Sequence, residues 1–93
     1  MRDEEARSSM RIRQQSLLWR KVEEEGVVLD LASSSYLRTN PTGAELWELL
    51  AEDRTEDELV AHLEGAYAVD HDRALADVRA FLDALRAQGV LEE

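Results

Sequence analysis

The chain contains no cysteine, one proline and four glycines in 93 residues. Without cysteine there is no disulfide, no thiolate nucleophile and no thiolate metal site, a composition that fits a reducing interior, so the cytoplasm is the expected compartment. No apolar run approaches the length of a membrane span, and the amino terminus has no secretory h-region, so no membrane is expected as a partner. Glycine is too sparse for a phosphate-binding loop. The two histidines, His62 and His71, have no companions at ligand spacing, and no serine has a base at a recognisable distance along the chain. Neither a catalytic residue, nor a metal site, nor a cofactor is therefore expected. A chain of this length forms one domain with a modest core and no deep cleft between lobes, which favours binding over catalysis.

What is abundant is negative charge, and it is unevenly placed. Residues 1–21 hold six basic side chains (Arg2, Arg7, Arg11, Arg13, Arg20 and Lys21) against three acidic ones. The remaining residues hold five basic against eighteen acidic, for a net charge of −10 overall. A nucleic-acid duplex or an anionic membrane would be repelled by the larger part, whereas a basic partner would be attracted.

Residues 1–14 are polar apart from scattered Met1, Ala6, Met10 and Ile12, too little apolar surface to offset the entropy of ordering them, so they are expected to form a flexible arm. The folded domain is expected from residue 15 to residue 93. Ser16–Val22 and Val27–Leu31 are two strand candidates around the charged turn Glu23-Glu24-Glu25-Gly26, where glycine would supply an unusual backbone angle. In the second strand, Val27, Leu29 and Leu31 fall on one face and Val28 and Asp30 on the other. Ala32-Ser33-Ser34 turns the chain into a third strand, Ser35–Arg38, which Asn40-Pro41 ends.

Three helices follow. Thr42 and Glu45 fit a capping box for a first helix beginning at Gly43, and Thr55 with Glu58 fit a second for Glu56–Ala66. Asp70 caps the longest helix, whose apolar positions Leu75, Val78, Leu82 and Leu85 recur at steps of three and four, and Gly89 stops it. Val90 and Leu91 can then fold back on the core. Trp19 and Trp47 are expected as core anchors. Beside the helical stripe lie Ala74, Asp77 and Phe81, a combination suited to a groove wall; spacing alone also allows Phe81 simply to widen the core, and favours that simpler reading. The fold class expected from these elements is α+β, a three-stranded antiparallel sheet followed by three helices.

Several of these segments together resemble the PqqD-like domains that recognise ribosomally made, post-translationally modified peptides. The resemblance runs from Leu17 to Leu91 and is carried by Asn40-Pro41-Thr42-Gly43 leading into Leu46-Trp47, by Thr55, Glu58 and Leu59, and by Asp77-Val78, Phe81-Leu82 and Gly89-Val90-Leu91. Where that family usually has an apolar residue before the asparagine, this chain has Thr39. The resemblance implies a winged-helix-like arrangement without catalytic residues. It also implies that the leader segment of a precursor peptide adds as a strand to the third strand, in a groove walled by the last helix. The site residues it implies are Ser34, Ser35, Tyr36, Leu37 and Arg38 on the strand and Ala74, Asp77, Val78, Phe81 and Leu85 on the helix. Of these, Leu37, Val78, Phe81 and Leu85 would form an apolar pocket, and Asp77 would meet a basic leader residue.

A free-standing copy resembles the discrete proteins of lasso-peptide biosynthesis, which deliver the precursor to a leader-cleaving cysteine protease and an ATP-dependent cyclase. Within the family, the alternative is a peptide chaperone for a radical-SAM enzyme, as in the pyrroloquinoline quinone pathway. A more distant alternative is a winged-helix DNA-binding protein. Its reading helix would set Asp72, Asp77 and Asp83 against Arg73, Arg79 and Arg86, leaving no spare cation for phosphates, so no nucleic-acid partner is expected.

Overall fold

The structure, a computed structural model, describes residues 9–13 and 15–93. Strand β1 (Ser9–Ile12) is followed by β2 (Leu17–Val22), β3 (Glu25–Asp30) and β4 (Ser35–Thr39). Helix α1 (Pro41–Leu49), the short β5 (Arg54–Thr55), α2 (Glu56–Ala66), α3 (His71–Gln88) and β6 (Leu91–Glu92) complete the chain. Strands β2, β3 and β4 form the expected antiparallel sheet in sequential order. A second antiparallel sheet, ordered β5-β1-β6, was not expected.

That second sheet takes Ser9–Ile12 out of the arm expected from the sequence. Met10 and Ile12 alternate inward from β1 and are buried, at 6% and 4% exposure. Two apolar side chains suffice because the strand's backbone is satisfied from both sides, by β5 and β6. Beyond the ladder, the Ile12 N–H donates to the Leu50 carbonyl at 2.9 Å and the Arg13 N–H to the Val90 carbonyl at 2.8 Å. The rest of the proposed arm, residues 1–8 and 14, lies outside the described residues.

The β2–β3 turn also differs from expectation. Val22 pairs directly with Glu25, leaving a two-residue loop in which Glu23 (φ 53°) and Glu24 (φ 75°) take the left-handed conformation. Two consecutive positive φ values suit the twist of a tight hairpin. Gly26 is therefore a strand residue, and it is needed for a different reason: a Cβ there would stand 2.1 Å from the Trp19 ring. The missing side chain lets Trp19 lie across β3 and stack on Trp47, with centroids 5.1 Å apart and planes 17° from parallel. The period-two alternation of β3 is as expected, and the buried face is the one carrying Gly26, Val28 and Asp30, while Leu29 and Leu31 are exposed.

Helix α1 begins two residues earlier than the capping-box reading places it. Asn40 is the cap, accepting the Gly43 N–H on Oδ1 at 2.8 Å, and Pro41 occupies the first turn, where its missing N–H costs nothing. Glu45 is thereby released from capping. Its carboxylate instead accepts from the Tyr67 hydroxyl and pairs with His62 Nε2 at 3.0 Å, joining α1 to α2 and its C-terminal end. Donation from Tyr67 and then His62 outweighs partial burial and holds this carboxyl below its ordinary value. His62 is accordingly a half-buried bridging residue and not a solvent-facing one. The box of Thr55 and Glu58 forms as expected, with both of its hydrogen bonds, 3.1 and 2.8 Å. Asp70 caps α3 by accepting the Arg73 N–H at 2.8 Å, and Gly89 ends it at φ 72°.

The core joins Val28, Leu46, Trp47 and Leu50 to Leu59, Val60 and Leu63 of α2. The buried stripe of α3 is Ala74, Val78, Leu82 and Leu85, with Leu75 only partly buried, a rotation of the helix by one position at its start. Val90 folds back into this core as expected. Asp30 is the one buried charged residue among those described. It pairs with Arg13 Nη2 at 3.0 Å and accepts the Ala32 N–H at 3.1 Å, so it ties the residue immediately following β1 to the turn before β4. Burial pushes the Asp30 carboxyl up, yet the N–H groups of Ala32 and Ser33 and the Arg13 charge together bring it below its usual 3.8. No helix of the described residues is long and apolar enough to cross a membrane.

Candidate functional site

Strand β4 pairs with β3 along one edge only, and no strand among the described residues covers its other edge. The chain's carboxy-terminal strand does not fill it, because Leu91 and Glu92 pair with β1. An uncovered strand edge presents unpaired backbone donors and acceptors, ready to accept another strand. Alongside this edge runs a cleft of about 430 Å³ between β4, the start of α1 and one flank of α3.

Each element enters the cleft for a local reason. Asn40 and Pro41 end β4 and begin α1 within three residues, bringing Thr39, Thr42 and Gly43 to one end of the cleft. A Cβ on Gly43 would lie 2.9 Å from Thr39 Cβ and 3.3 Å from Phe81 Cε1, so this glycine allows the helix start to sit directly against the Phe81 ring. From α3, Arg73, Asp77, Ala80, Phe81 and Ala84 line the opposite wall at helical spacing. The alanines keep that wall low. Leu37 and Leu46 give the cleft apolar surface.

Four of the sequence-derived site residues, Leu37, Arg38, Asp77 and Phe81, meet in this cleft. Phe81 is half-buried, packed on the core and still open to the cleft, so it does more than widen the core. Ala74, Val78 and Leu85 do not line it. They are fully buried, at 0% exposure, and support the wall from behind. Ser34 sits in the turn at φ 60°, and the Ser35 hydroxyl hydrogen-bonds that of Ser33 at 2.7 Å. Tyr36 is 63% exposed on the sheet's outer face, where Leu18, Leu29 and Tyr36 stand side by side across the three strands.

Arg73, Thr39, Thr42, Gly43, Ala80 and Ala84 also line the cleft, and none of them is among the site residues expected from the sequence. The signal was present in the small residues Ala80 and Ala84, which follow Asp77 and Phe81 at intervals of three. Seeing it required knowing that Ala74, and not Leu75, starts the buried stripe.

The polar rim is already internally paired. Arg73 Nε donates to Asp77 Oδ2 at 3.3 Å across one helical turn, and Arg38 Nη2 donates to Glu25 Oε1 at 2.9 Å across the sheet. Among the described residues, no group of three or more histidine, aspartate or glutamate side chains is arranged to hold a metal.

No curated protein sequence matches the chain. Two solved structures do. One, described as TbiB1 in complex with the TbiA(beta) leader peptide, is 29% identical, superposes with a TM-score of 0.78, and is matched over 88% of this chain and 94% of its own. Another, described as lasso peptide synthetase B1 complexed with the leader peptide, is 21% identical with a TM-score of 0.76, over 90% and 98% of the two chains, and speaks for the fold alone. The family of coenzyme PQQ synthesis protein D (PqqD) matches residues 25–91, from the first residue of β3 to the first of β6. With the resemblance in its sequence motifs met by the whole-chain likeness in fold and by a family match over most of its length, the chain belongs to the PqqD family.

Proposed function

We propose that this protein binds the leader segment of a ribosomally made precursor peptide, which adds as a strand to the free edge of β4 and lays alternate side chains into the cleft beside α3. The observation that carries this reading is the coincidence, at one place, of an unpaired strand edge and a cleft of peptide-side-chain size. Strand addition uses backbone hydrogen bonds for affinity and the cleft for selection. At about 1 kcal/mol net per hydrogen bond, the few bonds that a five-residue strand can offer leave most of the selectivity to Leu37, Phe81 and their neighbours.

The likeness to TbiB1, itself in complex with a leader peptide, supports leader-peptide recognition, and the sequence's resemblance to the discrete proteins of lasso-peptide biosynthesis supports a role in such a pathway. In that role the protein has no catalytic residue of its own and delivers the peptide to separate enzymes, a leader-cleaving cysteine protease and an ATP-dependent cyclase, in the cytoplasm. The site comprises Leu37, Arg38, Asp77 and Phe81, extended by Arg73, Thr39, Gly43, Ala80 and Ala84. Ser35 and Tyr36 contribute backbone at the edge.

Fluorescence anisotropy with the labelled leader peptide of a lasso precursor encoded beside this gene tests the reading. Saturable binding that Phe81→Ala weakens is expected. A folded protein that binds no neighbouring leader would overturn it.

A further inference from the structure

The outer face of the β2-β3-β4 sheet is built unlike the rest of the surface. Among the described residues six large apolar side chains are exposed, and five of them, Leu18, Val22, Leu29, Leu31 and Tyr36, belong to this sheet and the turn after β3. Register sets Leu18, Leu29 and Tyr36 in one row across the three strands. Leu31, whose N–H still donates to the Ser16 carbonyl at 2.8 Å, prolongs the line of Leu29. The opposite face, with Trp19, Val28 and Leu37, is the one packed on the core. An antiparallel sheet packed on one face ordinarily turns polar side chains to water on the other, so an apolar outer face marks a contact surface. The residues outside the described ones, 1–8 and 14, hold only Met1 and Ala6 as apolar side chains, too few to cover it.

Charge and size narrow the occupant. Arg20, Val27 and Arg38 form the next row of the same face. Arg38 is held to Glu25 at 2.9 Å, whereas Arg20 is exposed and has no carboxylate partner among the described residues. A second copy of this chain does not supply one. Stacking the leucine row on its own copy with strands running alike sets Arg20 on Arg38 of the second copy, and running them oppositely sets it over Ser16. With strands about 4.8 Å apart and about 3.3 Å per residue, the face has a footprint of roughly 300 Å², well short of the 800 Å² or so that each partner of a stable complex buries. A peptide strand on the edge of β4 widens it on the side of Tyr36, where alternate peptide side chains turn to the same outer face.

We infer that this face docks the enzyme that cleaves the leader, through an apolar patch of that enzyme carrying a carboxylate for Arg20, and that the bound peptide strand completes the docking surface. The inference rests on the strand-addition reading above. Cleavage separates the leader from the rest of the peptide, so this enzyme works on the very segment held at β4. Because one surface is shared, peptide and enzyme each raise the other's affinity by the same factor.

The test immobilises the full chain and measures, by biolayer interferometry, binding of the purified leader-cleaving cysteine protease encoded beside this gene, its catalytic cysteine changed to alanine so that the peptide survives. Leader peptide is either absent or saturating. The native protein should bind the enzyme about tenfold or more tightly with the leader than without it. Leu18→Thr combined with Leu29→Thr should lose about tenfold or more of the leader-loaded affinity, and Arg20→Gln about threefold to tenfold, as befits an ion pair at an interface rim. All these variants should keep the native melting temperature and, by fluorescence anisotropy, the native affinity for the leader alone. Enzyme binding that the double variant leaves intact, or that the leader does not strengthen, would overturn the inference while leaving strand addition standing. So would self-association of the native protein that the double variant abolishes, or docking of the ATP-dependent cyclase on this face in place of the protease. A native protein that binds no leader would overturn the strand-addition reading, and this inference with it.

Discussion

The two sheets of this protein share a strand count and an antiparallel pairing, yet they are put to opposite uses. The β5-β1-β6 sheet draws its strands from residues 9–12, 54–55 and 91–92, the two ends and the middle of the chain. It closes the core: Ile12, Leu50, Arg13 and Val90 are stitched together there by backbone hydrogen bonds. The β2-β3-β4 sheet comes from one continuous stretch, folds on tight turns, and leaves the edge of β4 open beside a cleft. The lesson is that the long-range sheet secures the fold and thereby frees the local one to keep a reactive edge. Its two outer edges, uncovered among the described residues, are themselves unequal. β2 carries the successive cations Arg20 and Lys21, with Lys21 held to Glu48 at 3.1 Å, and charged side chains of this kind discourage pairing.

If that division holds, damage to the small sheet should unfold the protein, and damage to the cleft should spare the fold. The largest effect expected is from Ile12→Ala, which removes a nearly fully buried side chain and should cost about 2–5 kcal/mol in urea denaturation. A value near zero would mean that β1 is dispensable and the comparison false. Phe81→Ala should do the reverse. Being half-buried, it should destabilise less than Ile12→Ala, while peptide affinity falls by about tenfold or more, roughly the 1.4 kcal/mol that losing one well-packed side-chain contact implies.

The link between the two sheets, Arg13 to Asp30, gives a pH signature. Because the folded Asp30 carboxyl lies below its unfolded value of 3.8, its stabilising contribution is complete above that value and is lost as pH falls from there through the folded value. Melting temperature followed from neutral pH downward should drop over that range, and Asp30→Asn should flatten the drop. An Asp30→Asn protein with the same acid profile as the native one would remove Asp30 from the link. The smallest effect concerns Thr39, whose Oγ1 is buried beside Gly26 without a hydrogen-bond partner among the described residues. Thr39→Val should leave stability unchanged or raise it by about 1 kcal/mol, since an unsatisfied hydroxyl is exchanged for a methyl group. A clear loss on thermal melting would show that the hydroxyl has a partner after all.

Much of this was legible in the sequence wherever the determinant was local. The Thr55–Glu58 box, the Asp70 cap and the Gly89 stop each need only residues three or four apart, and all are found as expected. The hairpin followed from alternation. Strand β1 was not legible, because Met10 and Ile12 acquire burial only when residues more than forty positions away arrive beside them. The competition between Asn40 and Thr42 for the α1 cap was settled by Pro41, which suits the first turn of a helix. Of the residues grouped from the sequence, Leu37, Arg38, Asp77 and Phe81 come together at the cleft, whereas Val78 and Leu85 are buried behind it. Helical periodicity fixes which residues share a face; the rotation of that face toward the core is set by tertiary packing.

Hydrogen exchange of the backbone amides, followed residue by residue with and without a saturating leader peptide, tests strand addition most directly. The account predicts new protection concentrated in β4, from Ser35 to Thr39, with side-chain resonances shifting at Phe81 and Ala84 on α3. Protection that appears instead along β2 or in the β5-β1-β6 sheet, with β4 exchanging as before, would contradict it.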